Sequence, residues 1–268
     1  MVLSTDILFI SHGGGPLPLL GDPDHRELVQ HLEGLASRLQ KPDAILVISA
    51  HWEASVPTVT AAARPELIYD YYGFPPESYE ITYPCTGKPS LAAKVTQALR
   101  QAGLNAIEDE ERGLDHGVFV PLKIMYPKAD IPVVQLSLLD SLDPEIHIAM
   151  GKALKNLDDG HLMVLGSGFS FHNLRALFDS DPTTKAARNR EFEEWLLKTC
   201  VDNALSEKER YRRLVEWDKA PHARYCHPRE EHLLPLHVCY GMAGKPSEEH
   251  ISTTIMNTQS GMFHWSIR

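Results

Sequence analysis

A chain of 268 residues is long for one average domain and short for two, which favours a single domain with a sizeable core. At 43% hydrophobic and 23% charged it has an ordinary globular composition, and a formal net charge of -10 leaves no basic excess for nucleic-acid phosphates. No stretch approaches the roughly 18 apolar residues of a membrane span, no basic leader opens the chain, and Cys85, Cys200, Cys226 and Cys239 form no CxxC pair, so the expectation is a reduced, cytoplasmic protein with neither membrane nor nucleic-acid partner.

The first apolar run, Ile7–Ile10, ends in Ser11-His12-Gly13-Gly14-Gly15. Asp24–Leu39 has Leu28, Leu32, Leu35 and Leu39 at helical spacing, and Lys41-Pro42-Asp43 closes that helix. The run from Ala44 is rich in β-branched residues and ends at His51-Trp52; Thr58–Ala62 alternates like a short strand. Residues 64–86 collect Tyr69, Tyr71, Tyr72, Phe74, Tyr79 and Tyr83 among prolines, which reads as a functional lid or as a self-stapled Ω-loop. A helix follows from Lys88-Pro89-Ser90 to Leu99, and a second from Asp115 or His116 to Met125 with Pro121 inside it. Ile131–Leu136 is a buried strand, Asp143-Pro144 opens a helix to Leu157, and the strand Leu162–Leu165 leads into Gly166-Ser167-Gly168 and His172. Thr183–Leu205 and Ser206–Trp217 read as scaffold helices, and His227–Gly241 as a helix kinked at Pro235. Two short strands end the chain. Strands alternating with helices predict an α/β domain whose central sheet, mostly parallel or mixed, has helices on both faces.

Runs buried on both faces end in His12, His51 and, after a Gly/Ser turn, His172. Ligands in open α/β sheets bind outside the carboxyl ends of such strands, so these imidazoles point to one shared site, with a metal the leading reading. Gly166-Ser167-Gly168 is also compatible with phosphate cradling, although no GK[ST] follows. His116 is either an acid/base group oriented by Asp115 or incidental to a helix cap. His227, His232 and His237, spaced by five, cannot share one helical face.

The motifs SHGGGP, SAHW, YDYYGFPPESYEITYP, LDHGVFVPLKIMYP, GSGFSFHNL and HPREEHLLPLH occur in that order over residues 6 to about 240. Together they resemble the LigB superfamily of extradiol ring-cleavage dioxygenases, in particular its DOPA-dioxygenase-like branch. The resemblance implies a non-haem Fe(II) enzyme that uses O2 to open a catechol ring beside its two hydroxyls. It implies His12, His51 and His232 as metal ligands, His172 as acid/base, and His116 as a residue near the substrate. Zinc is described in some members of the branch, and His172 would then be a fourth ligand. Asp115 and Tyr72, the latter in the aromatic loop, are the substrate-side candidates. A zinc hydrolase using Asp115, Glu53 or Glu230 as base, and a non-catalytic binding protein on the same fold, remain open. So does a homo-oligomer.

Overall fold

The computed structural model describes residues 5–177 and 182–267. Eight strands form one mixed sheet: β1 (Thr5–Ser11), β2 (Ala44–Ala54), β3 (Thr58–Thr60), β4 (Ile107–Asp109), β5 (Val133–Leu139), β6 (Leu162–Gly168), β7 (Glu249–Ile255) and β8 (Thr258–Ile267). Their order is β4-β3-β5-β2-β6-β1-β8-β7. The centre is parallel (β5, β2, β6, β1), whereas β8 and β7 add antiparallel strands at one edge. A tight turn at Met256 and Asn257, both at positive φ, joins those last two strands, as a two-residue hairpin requires.

Alternate residues of the central strands go to opposite faces. Ile7, Phe9, Leu46 and Ile48 join one core with α2 (Pro89–Gln101), α4 (Pro144–Leu154), α6 (Pro182–Val201) and α9 (Leu234–Ala243). Leu8, Ile10, Ile45 and Val47 join a second with α1 (Arg26–Arg38) and α3 (His116–Met125). Three shorter helices, α5 (Leu174–Leu177), α7 (Glu207–Val215) and α8 (Ala223–Cys226), lie between β6 and α9 in the chain. The expected architecture is present. No helix of the described residues is long and apolar enough to cross a membrane.

Two departures from the expected elements matter for the site. The strand expected to end at His51 continues to Ala54 through an irregularity: pairing with β5 jumps from Ile48–Leu136 to Glu53–Leu138, and His51 lies in the bulged stretch. Bulges re-aim side chains, and this one turns His51 out of the ladder. The expected long helix from His227 does not form. Helix α9 starts at Leu234 with Pro235 in its first turn, where a missing N–H costs nothing, and no kink arises. Residues 227–233 run instead as turns against the end of β6, where Phe169 N–H donates to the His232 carbonyl at 2.9 Å. Gly168 explains this close approach, and Gly166 that of α9 beside it. A Cβ on Gly168 would collide with the His232 carbonyl, and one on Gly166 with Cys239 and Pro235. The Gly-Ser-Gly stretch, which continues strand β6 rather than turning after it, therefore admits a neighbouring backbone rather than a phosphate.

Candidate active site

Five histidines from five chain segments converge beyond the carboxyl ends of β1, β2 and β6. His12 follows β1, His51 sits in the β2 bulge, His116 opens α3, His172 follows β6, and His232 precedes α9. All five line one cavity of about 380 Å³. His12 Nε2 and His51 Nε2 are 3.0 Å apart. The ring centroids of His12, His51 and His232 form a nearly regular triangle with sides of 4.8, 5.3 and 4.9 Å. His116 packs more tightly on His51, at 3.9 Å between centroids, and His172 stacks on His232 at 3.4 Å. By donor atoms the grouping differs: His12, His51 and His116 offer nitrogens within 4.8 Å of one another, as His172, Glu231 and His232 offer a second such set.

Most of these rings are held from behind through Nδ1. Asp70 Oδ1 accepts from both the Nδ1 (2.8 Å) and the backbone N–H (3.0 Å) of His116, while Asp70 Oδ2 lies 3.6 Å from His51 Nδ1. Glu231 Oε1 faces Nδ1 of His232 at 2.9 Å and Nδ1 of His172 at 3.2 Å. Burial opposes ionisation of both carboxyls, yet the histidine hydrogen bonds overcome it and hold each below the ordinary carboxylate range. An ionised carboxylate only accepts, so Nδ1 of His116, His172 and His232 donates to it, and in the neutral ring Nε2 is then the nitrogen that carries the lone pair. Neither Asp70 nor Glu231 was marked as functional by sequence reasoning. The acid inside the aromatic loop and the acid beside His232 were the available signals.

His12 is held differently. Its Nδ1 lies 3.1 Å from Ser167 Oγ, and that hydroxyl donates to the Gly117 carbonyl. In an unbroken helix Gly117 would accept from the residue four positions on, but that residue is Pro121, which has no N–H. With its one proton given to Gly117, Ser167 can only accept from His12 Nδ1–H. His12 Nε2 is thereby left unprotonated.

Asp115 is fully buried but does not line the cavity; it accepts from Ser49 Oγ (2.7 Å) and Gln135 Nε2 (2.5 Å). Ser49 in turn accepts from His51 N–H at 3.2 Å, so Asp115 braces the bulge that aims His51. Tyr72, the other substrate-side candidate, is 91% exposed and points away from the cavity lining, which takes Tyr71 and Phe74 from the same loop. The loop is also tied by its own tyrosines, with Tyr69 Oη donating to the Ile81 carbonyl and Tyr71 Oη to that of Ser78. The aromatic stretch thus staples itself, and one side of it faces the cavity. Gly13–Gly15 form another wall; Gly14 N–H donates to His25 Nε2, whose Nδ1 is held by Asp22 at 2.8 Å.

The pattern describing the catalytic LigB subunit of aromatic ring-opening dioxygenases matches residues 6–268. The chain belongs to the LigB family. It is 43% identical to a dioxygenase of Hapsidospora irregularis over 88% of this chain and 78% of that one. It is 37% identical to a 4,5-DOPA dioxygenase extradiol of Beta vulgaris, covering 92% and 90% of the two chains. An uncharacterized Escherichia coli K12 protein of known structure superposes with a TM-score of 0.76 at 29% identity, covering 99% of this chain and 100% of that one. This LigB-family protein is accordingly an enzyme of the extradiol dioxygenase type, and its buried histidines are suited to bind the metal on which that family depends.

Burial, followed by the charges of neighbouring imidazoles, lowers the pKa of His12 and His51 well below the ordinary 6.5 and that of His232 to about 3. His227 and His147, buried elsewhere, fall to about 3 and about 4. The native metal-free protein thus binds fewer protons than the unfolded chain once the pH drops below 6.5. Their stabilising contribution is complete above 6.5 and is lost as the pH falls from there towards the depressed native values, at about 1.4 kcal/mol per pH unit for each such histidine. Urea unfolding at pH 7.5 and pH 5.5 is expected to show the metal-free protein several kcal/mol less stable at the lower pH; equal stabilities would mean that these rings are protonated when folded.

Proposed function

We propose that this LigB-family protein is an Fe(II)-dependent extradiol dioxygenase that opens the ring of a catechol with O2, holding the metal through His12, His51 and His232. The triangle of ring centroids carries the assignment. Imidazoles sharing one ion through bonds of about 2.1 Å, at octahedral to tetrahedral angles, place their centroids about 4.6–5.3 Å apart. His12, His51 and His232 fit that spacing closely. His172 on His232 and His116 on His51 are too close to share the ion at such angles. The donor set fits a divalent transition metal: neutral nitrogens, low in proton affinity and supported from behind. A bound Fe(II) would supply the redox chemistry by which dioxygen reacts with a catechol, which zinc lacks.

The remaining groups handle protons and orientation. His172 Nε2, its lone pair kept available by Glu231, accepts the proton that a catechol hydroxyl loses on binding and returns it as the ring opens. His116, fixed by Asp70, directs Nε2 at the substrate from the opposite side. The hydrolase reading is disfavoured because its candidate bases are engaged elsewhere: Asp115 braces β2, Glu53 is paired with Arg229, and Glu230 with Arg224. Oxygen uptake by the iron-loaded enzyme with a panel of catechols, with appearance of a ring-opened product, tests the proposal. Hydrolysis of an ester or amide by the zinc form, without oxygen uptake by the iron form, would replace it.

The Ser167 relay makes a separate prediction. Ser167→Ala removes the acceptor for His12 Nδ1–H and is expected to weaken metal binding about 10- to 100-fold. Pro121→Ala removes no atom from the site, but returns an N–H to the Gly117 carbonyl and frees the Ser167 hydroxyl to donate to His12 instead. It should lower affinity in the same direction, as read by competition with a chromophoric chelator. Unchanged affinity in both variants would show that the His12 tautomer is set by other means.

A further inference from the structure

We propose that the substrate's ring carries an uncharged, apolar substituent, an alkyl or aryl group rather than an amino-acid head; this rests on the extradiol reading above. The histidines occupy one part of the cavity. The rest of its lining includes Leu17, Phe74, Leu174, Leu177 and Met256. These come from the turn after β1, the aromatic loop, the one-turn helix α5 and the tip of the β7–β8 hairpin. An apolar wall assembled from four separate segments is not the by-product of a single amphipathic element. Leu174, 59% exposed at the rim, offers apolar surface that an apolar substituent would remove from water.

Among the described residues lining this cavity none is Asp, Glu, Lys or Arg. Arg175 and Arg229 line a neighbouring cavity of about 530 Å³, which meets this one at His172 and Leu174. Arg229 is committed there, holding both Glu53 oxygens at 2.6 Å. A catechol seated by its oxygens at the histidines directs its ring substituent at the leucines and Met256. A carboxylate or ammonium placed there loses its hydration without a partner, which is strongly unfavourable, whereas each buried methylene adds to binding.

The test is kcat/KM for oxygen uptake by the iron-loaded enzyme with 4-methyl-, 4-propyl- and 4-pentylcatechol, set against DOPA and 3,4-dihydroxyphenylacetate. The alkyl series is expected to rise about three- to fourfold per methylene while the tail stays on the wall, with DOPA at least about tenfold below propylcatechol. Met256→Lys should raise dihydroxyphenylacetate relative to propylcatechol. If DOPA or dihydroxyphenylacetate ranks first, and Arg175→Ala selectively removes that advantage, the inference is overturned while the extradiol reading stands. If no catechol supports oxygen uptake, the extradiol reading itself fails. Anaerobic binding of the same compounds to the metal-loaded protein then decides the tail preference, with equal affinities across the alkyl series ruling it out.

Discussion

Alanine in place of His232 is expected to strip the metal from the protein, and alanine in place of His116 to leave it bound. Removing one of three nitrogen ligands should reduce affinity by more than the 10- to 100-fold typical of an outer-shell partner, and oxygen uptake with it. His12→Ala and His51→Ala should behave like His232→Ala. His116→Ala should cost less than about tenfold in affinity, since its ring sits 3.9 Å from His51, too close for both to bind one ion at ordinary angles. The measurement is anaerobic titration of metal-free protein with Fe(II), repeated with Zn(II). The two histidines are worth separating because donor-atom spacing alone groups His116 with His12 and His51. Retention by His232→Ala with loss in His116→Ala would make His116 the third ligand and leave His232, with Glu231 behind it, as a proton-transfer group.

What the sequence made legible, and what it hid, follows from the range of the forces involved. β1, β2 and β6 were readable because strands buried on both faces need continuous apolar residues, and that demand is local. So was the convergence of His12, His51 and His172, since strand ends in such sheets share one edge. The route of His232 was not. Its neighbourhood has helical composition and a proline, and only the tertiary contact of His232 with Gly168 and Phe169 shows that residues 227–233 lie against β6. Asp70 was hidden because its partner His116 is 46 residues away in sequence. Tyr72 and Tyr71 are chemically identical neighbours; which one turns inward is decided by the hydrogen bond from Tyr71 to the Ser78 carbonyl, and composition carries no trace of it. Asp115 was noticed as a charged residue beside a histidine, but its burial beneath Ser49 and Gln135 makes it a brace for β2.

His172→Ala is expected to keep the metal and lose turnover. The ring stacks on His232 at 3.4 Å, so its removal loosens that neighbour and should weaken metal binding by less than about tenfold. Loss of a general acid/base lowers kcat by about 10²- to 10⁴-fold, and that loss should fall on kcat more than on KM because His172 moves a proton rather than holding the ring. Added imidazole, which fits the space vacated beside Glu231, should restore part of the rate. Glu231→Gln provides the complementary case: a neutral amide still occupies the position between His172 and His232 but no longer compels both to carry their proton on Nδ1. It should lower both metal affinity and kcat, because one carboxylate serves a ligand and a base together. Metal loss in His172→Ala as complete as in His12→Ala would identify His172 as a ligand. Proton transfer would then pass to His116, and Asp70 rather than Glu231 would be the carboxylate that sets the acid/base group.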